Sequence, residues 1–212
     1  MFADLGFPLT REYVRDAPVS VLRRALKSWM ESTNPTCLLH PHGFYVVLLG
    51  RNETEEWRFH YWPQGSPNIL GMPARIHTHD RHVESRILQG TLTDIQYQVA
   101  TTATDGQPLY EVLYQGDRYS QTTSNILRRT ATRVIPTVEQ SNSMQSGETY
   151  QIECHAYHEA VVPQHVATST LVCMHGHLPG DVNVIGLDGY PEIISFQRTE
   201  HRADMFAGHL LL

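Results

Sequence analysis

The chain contains no apolar run approaching the roughly 18 residues that a spanning helix needs, so no membrane segment is expected. It also lacks a basic excess. Sixteen Lys and Arg stand against 22 Asp and Glu, a formal charge of -6. With a pI near 6.1, that argues against nucleic acid or an anionic membrane surface as the main partner. The N-terminus, Met-Phe-Ala-Asp-Leu-Gly-Phe-Pro, has no basic segment followed by an apolar one, so no secretory signal is expected. Cysteine is scarce. Cys37, Cys154 and Cys173 are odd in number and scattered, which suits reduced thiols in the cytoplasm rather than a disulfide framework. Internal repeats, low-complexity linkers and a break in composition are missing too, so residues 1–212 are expected to form a single domain. What the chain has in quantity is histidine, 13 in all.

Residues 10–32 carry an approximate helical stripe of Val14, Val19, Leu22, Leu26, Trp29 and Met30 behind a capping Thr10. Pro18 interrupts it, which allows two shorter helices. Residues 1–35 are therefore an N-terminal helical region. Beyond Asn34-Pro35 the texture changes to short β-type runs: 43–50, 56–62, 75–79, 83–88, 91–100 and 109–114. Further runs at 132–135, 149–153, 159–162, 168–174 and 182–186 follow, with Gly, Pro and Asn turns between them. Many short strands of this kind predict an all-β antiparallel sandwich or barrel. Residues 178–212 form a C-terminal extension in which 203–212 is a candidate helix.

The most specific chemistry lies in Gly71-Met-Pro-Ala-Arg-Ile-His77-Thr-His79-Asp-Arg-His-Val-Glu84-Ser-Arg-Ile-Leu-Gln-Gly90. Residues two apart on a strand share a face, so His77 and His79 can reach one ion. A polar turn at Asp80-Arg81-His82 then brings the chain back with Glu84 as a third ligand. Two imidazoles and a carboxylate suit iron, manganese, nickel or zinc better than calcium or magnesium. A distant fourth ligand is expected at His158, which follows the Gly147 turn, with His155 its main rival. His82, His165, His175 and His177 lack matching spacing and read as surface or outer histidines. Arg75, two residues before His77, and Arg86, two after Glu84, face the same interior by parity and could grip an anion. Arg58 and His60 form a further substrate-binding pair. Tyr157, beside His158, is the candidate catalytic side chain.

Gly71, His77, His79, Glu84 and Gly90 resemble the first motif of the cupin superfamily, with one residue fewer before the last glycine. Gly147 and His158 are similar to the second, although Cys154-His155-Ala156 stands where a Pro-x-Gly bend is usual and the later asparagine is missing. The resemblance covers residues 40–177. It implies a cupin-type jelly-roll barrel with an N-terminal helical extension, and a divalent ion held by His77, His79, Glu84 and His158, with Fe(II) favoured and Mn, Ni or Zn the other candidates. The expected function is an iron(II) oxygenase acting on a small anionic metabolite, similar to cupin dioxygenases. The alternatives are an isomerase or lyase that uses the ion as a Lewis acid, and a non-enzymatic small-molecule-binding cupin. The open edges of a sandwich would also suit a homodimer.

Overall fold

The computed structural model describes residues 2–65, 75–116 and 124–210. Gly71 and Pro73 lie outside the described residues. The all-β expectation is met by two antiparallel sheets with short helices at the N-terminus. The first sheet runs β13(Thr199–Arg202)-β1(Thr36–Leu39)-β2(Tyr45–Arg51)-β3(Glu55–Trp62)-β10(Thr168–His175)-β4(His82–Gln89)-β8(Thr149–Ile152). The second runs β11(Asn183–Ile185)-β6(Gln107–Tyr114)-β7(Asn125–Gln145)-β5(Thr91–Thr102)-β9(Tyr157–Val161), with β12(Ile193–Phe196) also paired to β7. The expected strand at 75–79 is reduced to a single bridged residue. His77 pairs with His158 of β9 and with Val184 of β11, the two ends of the second sheet's order. That residue therefore closes the sheet's ends on one another.

The helical region is two helices, divided at Pro18. α1(Arg11–Asp16) starts at Thr10, whose hydroxyl accepts the Tyr13 N–H at 3.3 Å. α2(Val19–Thr33) buries Leu22, Leu26 and Met30, spaced four apart on one stripe. These side chains are sealed against Trp57, Phe59, Tyr61, Leu171 and Cys173 on the outer face of the first sheet. Burying each one removes apolar surface worth about 1.5–3 kcal/mol. Along β3, the side chains between those aromatics, Arg58, His60 and Trp62, point to the other face and line the space between the sheets. The helices thus decide which face of β3 is left for chemistry.

The C-terminal extension is part of the sandwich rather than an appendage, since it supplies β11, β12 and β13. The candidate helix at 203–212 is limited to α3(Asp204–Ala207). Asn34, in the left-handed conformation that ends α2, exchanges hydrogen bonds with Asp204 at 3.1 Å each way. No described helix is long and apolar enough to cross a membrane.

Candidate metal centre

His77 and His158 sit directly opposite one another and exchange both backbone hydrogen bonds, each 3.0 Å long. Opposed residues of an antiparallel pair project to the same side, so this pairing brings two imidazoles together. His79 joins them two residues along. Its carbonyl is held by the His155 N–H at 2.8 Å and by the Cys154 Sγ at 3.6 Å. Thr78, between the two histidines, turns the other way and accepts the Asn183 N–H at 2.9 Å. One ring nitrogen from each of His77, His79 and His158 lies within 4.8 Å of the other two. Nitrogens bound about 2.1 Å from a common ion can be no more than about 4.2 Å apart, so small ring movements suffice to close the set.

The protonation of His77 suits metal binding. His77 Nδ1 is 2.8 Å from the carbonyl oxygen of Arg75. A carbonyl can only accept, so Nδ1 carries the proton and Nε2 presents its lone pair. Burial, then the nearby His158 and His42, hold the His77 pKa well below its ordinary value, keeping the ring neutral. His158 is 4% exposed, and neither ring nitrogen has a hydrogen-bond partner. Asp94 Oδ1 stands 3.5 Å from its Nδ1. A buried imidazole left unsatisfied costs on the order of 1–3 kcal/mol, which an ion on the free nitrogen would relieve. The three residues therefore fit a divalent ion.

Glu84 does not join them. It faces the N-terminal helices, with an oxygen 3.6 Å from Arg11 Nη1, and lies with Arg86, Val14 and Trp57 around a small outer depression. Arg86 is on that same face and donates to the Val14 carbonyl at 2.7 Å, so it ties α1 to β4 instead of facing the interior. Parity within β4 holds for Glu84 and Arg86, but it cannot be carried from His79 through the turn at Asp80-Arg81. Tyr157 is also misplaced by the sequence reading. It packs with Ile76, Val134 and Ile185 in an apolar cluster and does not line the cavity. His155, the rival ligand, occupies the tight bend with a φ of 61°.

The triad opens onto a cavity of about 330 Å³ between the sheets. His40, His42, His60, His77, His79 and His158 all line it, six of the 13 histidines. Arg58 and Arg75 line it too, and Arg58 also pairs with Glu56, Nε to Oε1 at 2.6 Å. Trp62, Val83, Ile152, Val162 and Val172 supply an apolar wall. No described Asp or Glu is part of the lining. A smaller cavity of about 70 Å³ on the other side of His77 and His79 also reaches Arg58 and Arg198.

Four contributors escaped the sequence reading. His40 accepts the His42 N–H on its Nδ1 at 3.2 Å, leaving Nε2–H as a donor. His42 has its ring 4.9 Å from that of His77. Tyr150 lines the cavity, and burial pushes its pKa up to about 12. Asp94, with Oδ1 3.5 Å from His158 Nδ1, is the fourth. Of these, only His40 and His42 carried a signal, a His-Pro-His-Gly turn in a histidine-rich chain.

No protein-family model matches the chain, and no curated protein matches it in sequence. Solved structures are similar in fold. They include an RmlC-like cupin from Shewanella frigidimarina NCIMB 400 at 12% identity, spanning 63% of this chain and 77% of that one with a TM-score of 0.34. The DMSP lyase DddQ from Ruegeria pomeroyi DSS-3 is 15% identical over 70% of this chain and 53% of its own, with a TM-score of 0.37. The hydroquinone 1,2-dioxygenase PnpCD, solved with Cd2+ and 4-hydroxybenzonitrile, is 7% identical over 83% and 87%, with a TM-score of 0.38. At these values the likeness carries no conclusion about chemistry, which the side chains of this chain must supply.

Proposed function

We propose that the chain is a metal-dependent enzyme of cupin type, an iron(II) oxygenase acting on a small anionic metabolite. One observation carries this reading: three imidazoles converge on a cavity lined by Arg58 and Arg75, with no described carboxylate in its lining. An imidazole donor set suits iron, and equally nickel, copper or zinc. Iron, when bound, would supply the one-electron and dioxygen chemistry that no side chain can. In a dioxygenase both oxygen atoms enter the product and the substrate itself provides the electrons, so no separate reductant is required.

The chain's own residues have three tasks in this reaction. His77 keeps its proton on Nδ1 through the Arg75 carbonyl and so presents Nε2, while Asp94 places a carboxylate oxygen 3.5 Å from His158 Nδ1. Arg75 and Arg58 draw an anion into the cavity, where charge-assisted hydrogen bonds orient it. Trp62, Val83, Val162 and Val172 exclude water from the reacting centre.

A Lewis-acid lyase or isomerase is the second reading, favoured by Tyr150, a phenol on the cavity wall whose raised pKa keeps it a proton donor. Oxygen uptake by iron-reconstituted protein, screened over thiols, amino acids, diketones and aromatic acids, separates the two. The oxygenase reading expects uptake that requires iron and an anionic substrate. Turnover that needs no oxygen and runs equally well with zinc would overturn it.

A further inference from the structure

Three imidazoles leave a four- or six-coordinate ion short of protein ligands, and Glu84 is turned away behind the first sheet. Neither cavity at the triad has a described Asp or Glu in its lining. Among the described residues His40 and His42 both line the two cavities with His77 and His79, and of the two it is His42 whose ring packs against the triad. Its ring centroid is 4.9 Å from that of His77. The separations within the triad are 4.8, 4.6 and 5.1 Å, so His42 stands as near to His77 as the triad members stand to one another.

We infer that His42 is the fourth protein ligand of this centre, giving an all-imidazole site in place of three histidines and a carboxylate. This rests on the reading of His77, His79 and His158 as a metal site.

His42 lies in the turn between β1 and β2, on the opposite sheet from His158. The turn backbone is held. His40 N–H donates to the Phe44 carbonyl at 2.7 Å, and Gly43 N–H to the His40 carbonyl at 2.8 Å. Gly43 has a φ of 86°, a conformation in which a side chain would be strained. The set of nitrogens within 4.8 Å of one another comprises His77, His79 and His158 without His42, so with its backbone fixed the His42 ring has to turn about its own side-chain bonds to join them. Burial, followed by His158, Arg75 and Arg198, lowers its pKa to about 4, so it is neutral and offers a lone pair at pH 7.

Two consequences follow from this donor set. The ion would clip the β1–β2 turn of one sheet to β9 of the other. Four neutral ligands also leave the full charge of a divalent cation uncompensated by protein. A bound anion then balances that charge directly, which makes the substrate's acidic group a ligand of the ion as well as a partner of Arg75.

The test uses the full chain stripped of metal, titrated with cobalt(II) by visible absorption, with zinc affinity measured by competition. His42→Ala should alter the cobalt spectrum and weaken zinc binding by at least about 10- to 100-fold, the loss usual for removing even an outer partner of a ligand. Added imidazole should restore the wild-type spectrum. Glu84→Gln should match wild type in both readouts. Wild-type spectrum and affinity in His42→Ala would overturn the inference, as would loss of the ion in Glu84→Gln. His77→Ala that still binds the ion fully would instead remove the triad itself, a distinguishable failure. Circular dichroism identifies folded variants, and His42→Gln, expected to behave as His42→Ala does, replaces it if the alanine chain does not fold.

Discussion

His60 allows the electrostatics of the cavity to be checked without any metal. Its ring touches Phe44 and Trp62, with centroids 4.9 and 5.8 Å away, and its Nε2 has no hydrogen-bond partner. Burial, then Arg58 and Arg198, lower its pKa well below 6.5, so the folded chain keeps it neutral. The unfolded chain takes up a proton near pH 6.5, and stability must therefore fall as pH drops through that value. For a group that stays neutral in the fold down to pH 5.5, the loss between pH 7 and pH 5.5 is about 1.3 kcal/mol. Above pH 7 the contribution is fully present. His60→Phe keeps an aromatic ring between Phe44 and Trp62 but cannot take up the proton. Urea unfolding of metal-free wild type and variant, followed by tryptophan fluorescence, isolates the effect because every other titration cancels in the difference. Relative to wild type, the variant should gain about 1.3 kcal/mol on going from pH 7 to pH 5.5. A pH-independent difference would refute the claim that His60 is held neutral.

The sequence made the triad legible because His77 and His79 obey strand parity and His158 follows a glycine turn at the distance a facing strand requires. Glu84 failed for a physical reason. Parity is a property of one continuous strand, and Asp80-Arg81 reset it, so Glu84 and Arg86 came out together on the face that the helices cover. The same helices explain β3, where they cover Trp57, Phe59 and Tyr61 and leave the intervening Arg58 and His60, the pair read as substrate-binding, to line the cavity. Arg86 illustrates the cost of carrying parity through the Asp80-Arg81 turn: a buried arginine needs a partner, and here it is the Val14 carbonyl, not a substrate.

His42 and His40 carried no periodic signal because they lie in a turn. Only the register of β1 and β2, pairing Leu38 with Val46, swings that turn over the triad. β7 is 21 residues long, yet only 132–135 of it was recognisable. Its stretch Glu139-Gln-Ser-Asn-Ser143 is polar on both faces and exposed, so no alternation marks it as a strand. Pairing with β5, from Thr91–Gln145 onward with one bulge between Gln96 and Tyr97, is what orders it. Hydrophobic patterning reports strands that bury a face, and this ribbon buries little.

Arg75 and Arg86 should separate cleanly. Arg75→Gln should leave stability within about 0.5 kcal/mol and weaken an acidic ligand by about 1–3 kcal/mol. Arg86→Ala should lose about 1–3 kcal/mol of unfolding free energy, through the orphaned Val14 carbonyl, with ligand and metal binding unchanged. The reverse pattern would return Arg86 to the cavity. Asp94→Asn preserves side-chain shape and the Oδ that accepts from Gln96 at 2.9 Å, but removes the negative charge facing His158 Nδ1. Zinc competition should show affinity lowered about 10- to 100-fold, as expected when the partner orienting a ligand imidazole is lost, whereas wild-type affinity would leave Asp94 only the task of holding Gln96.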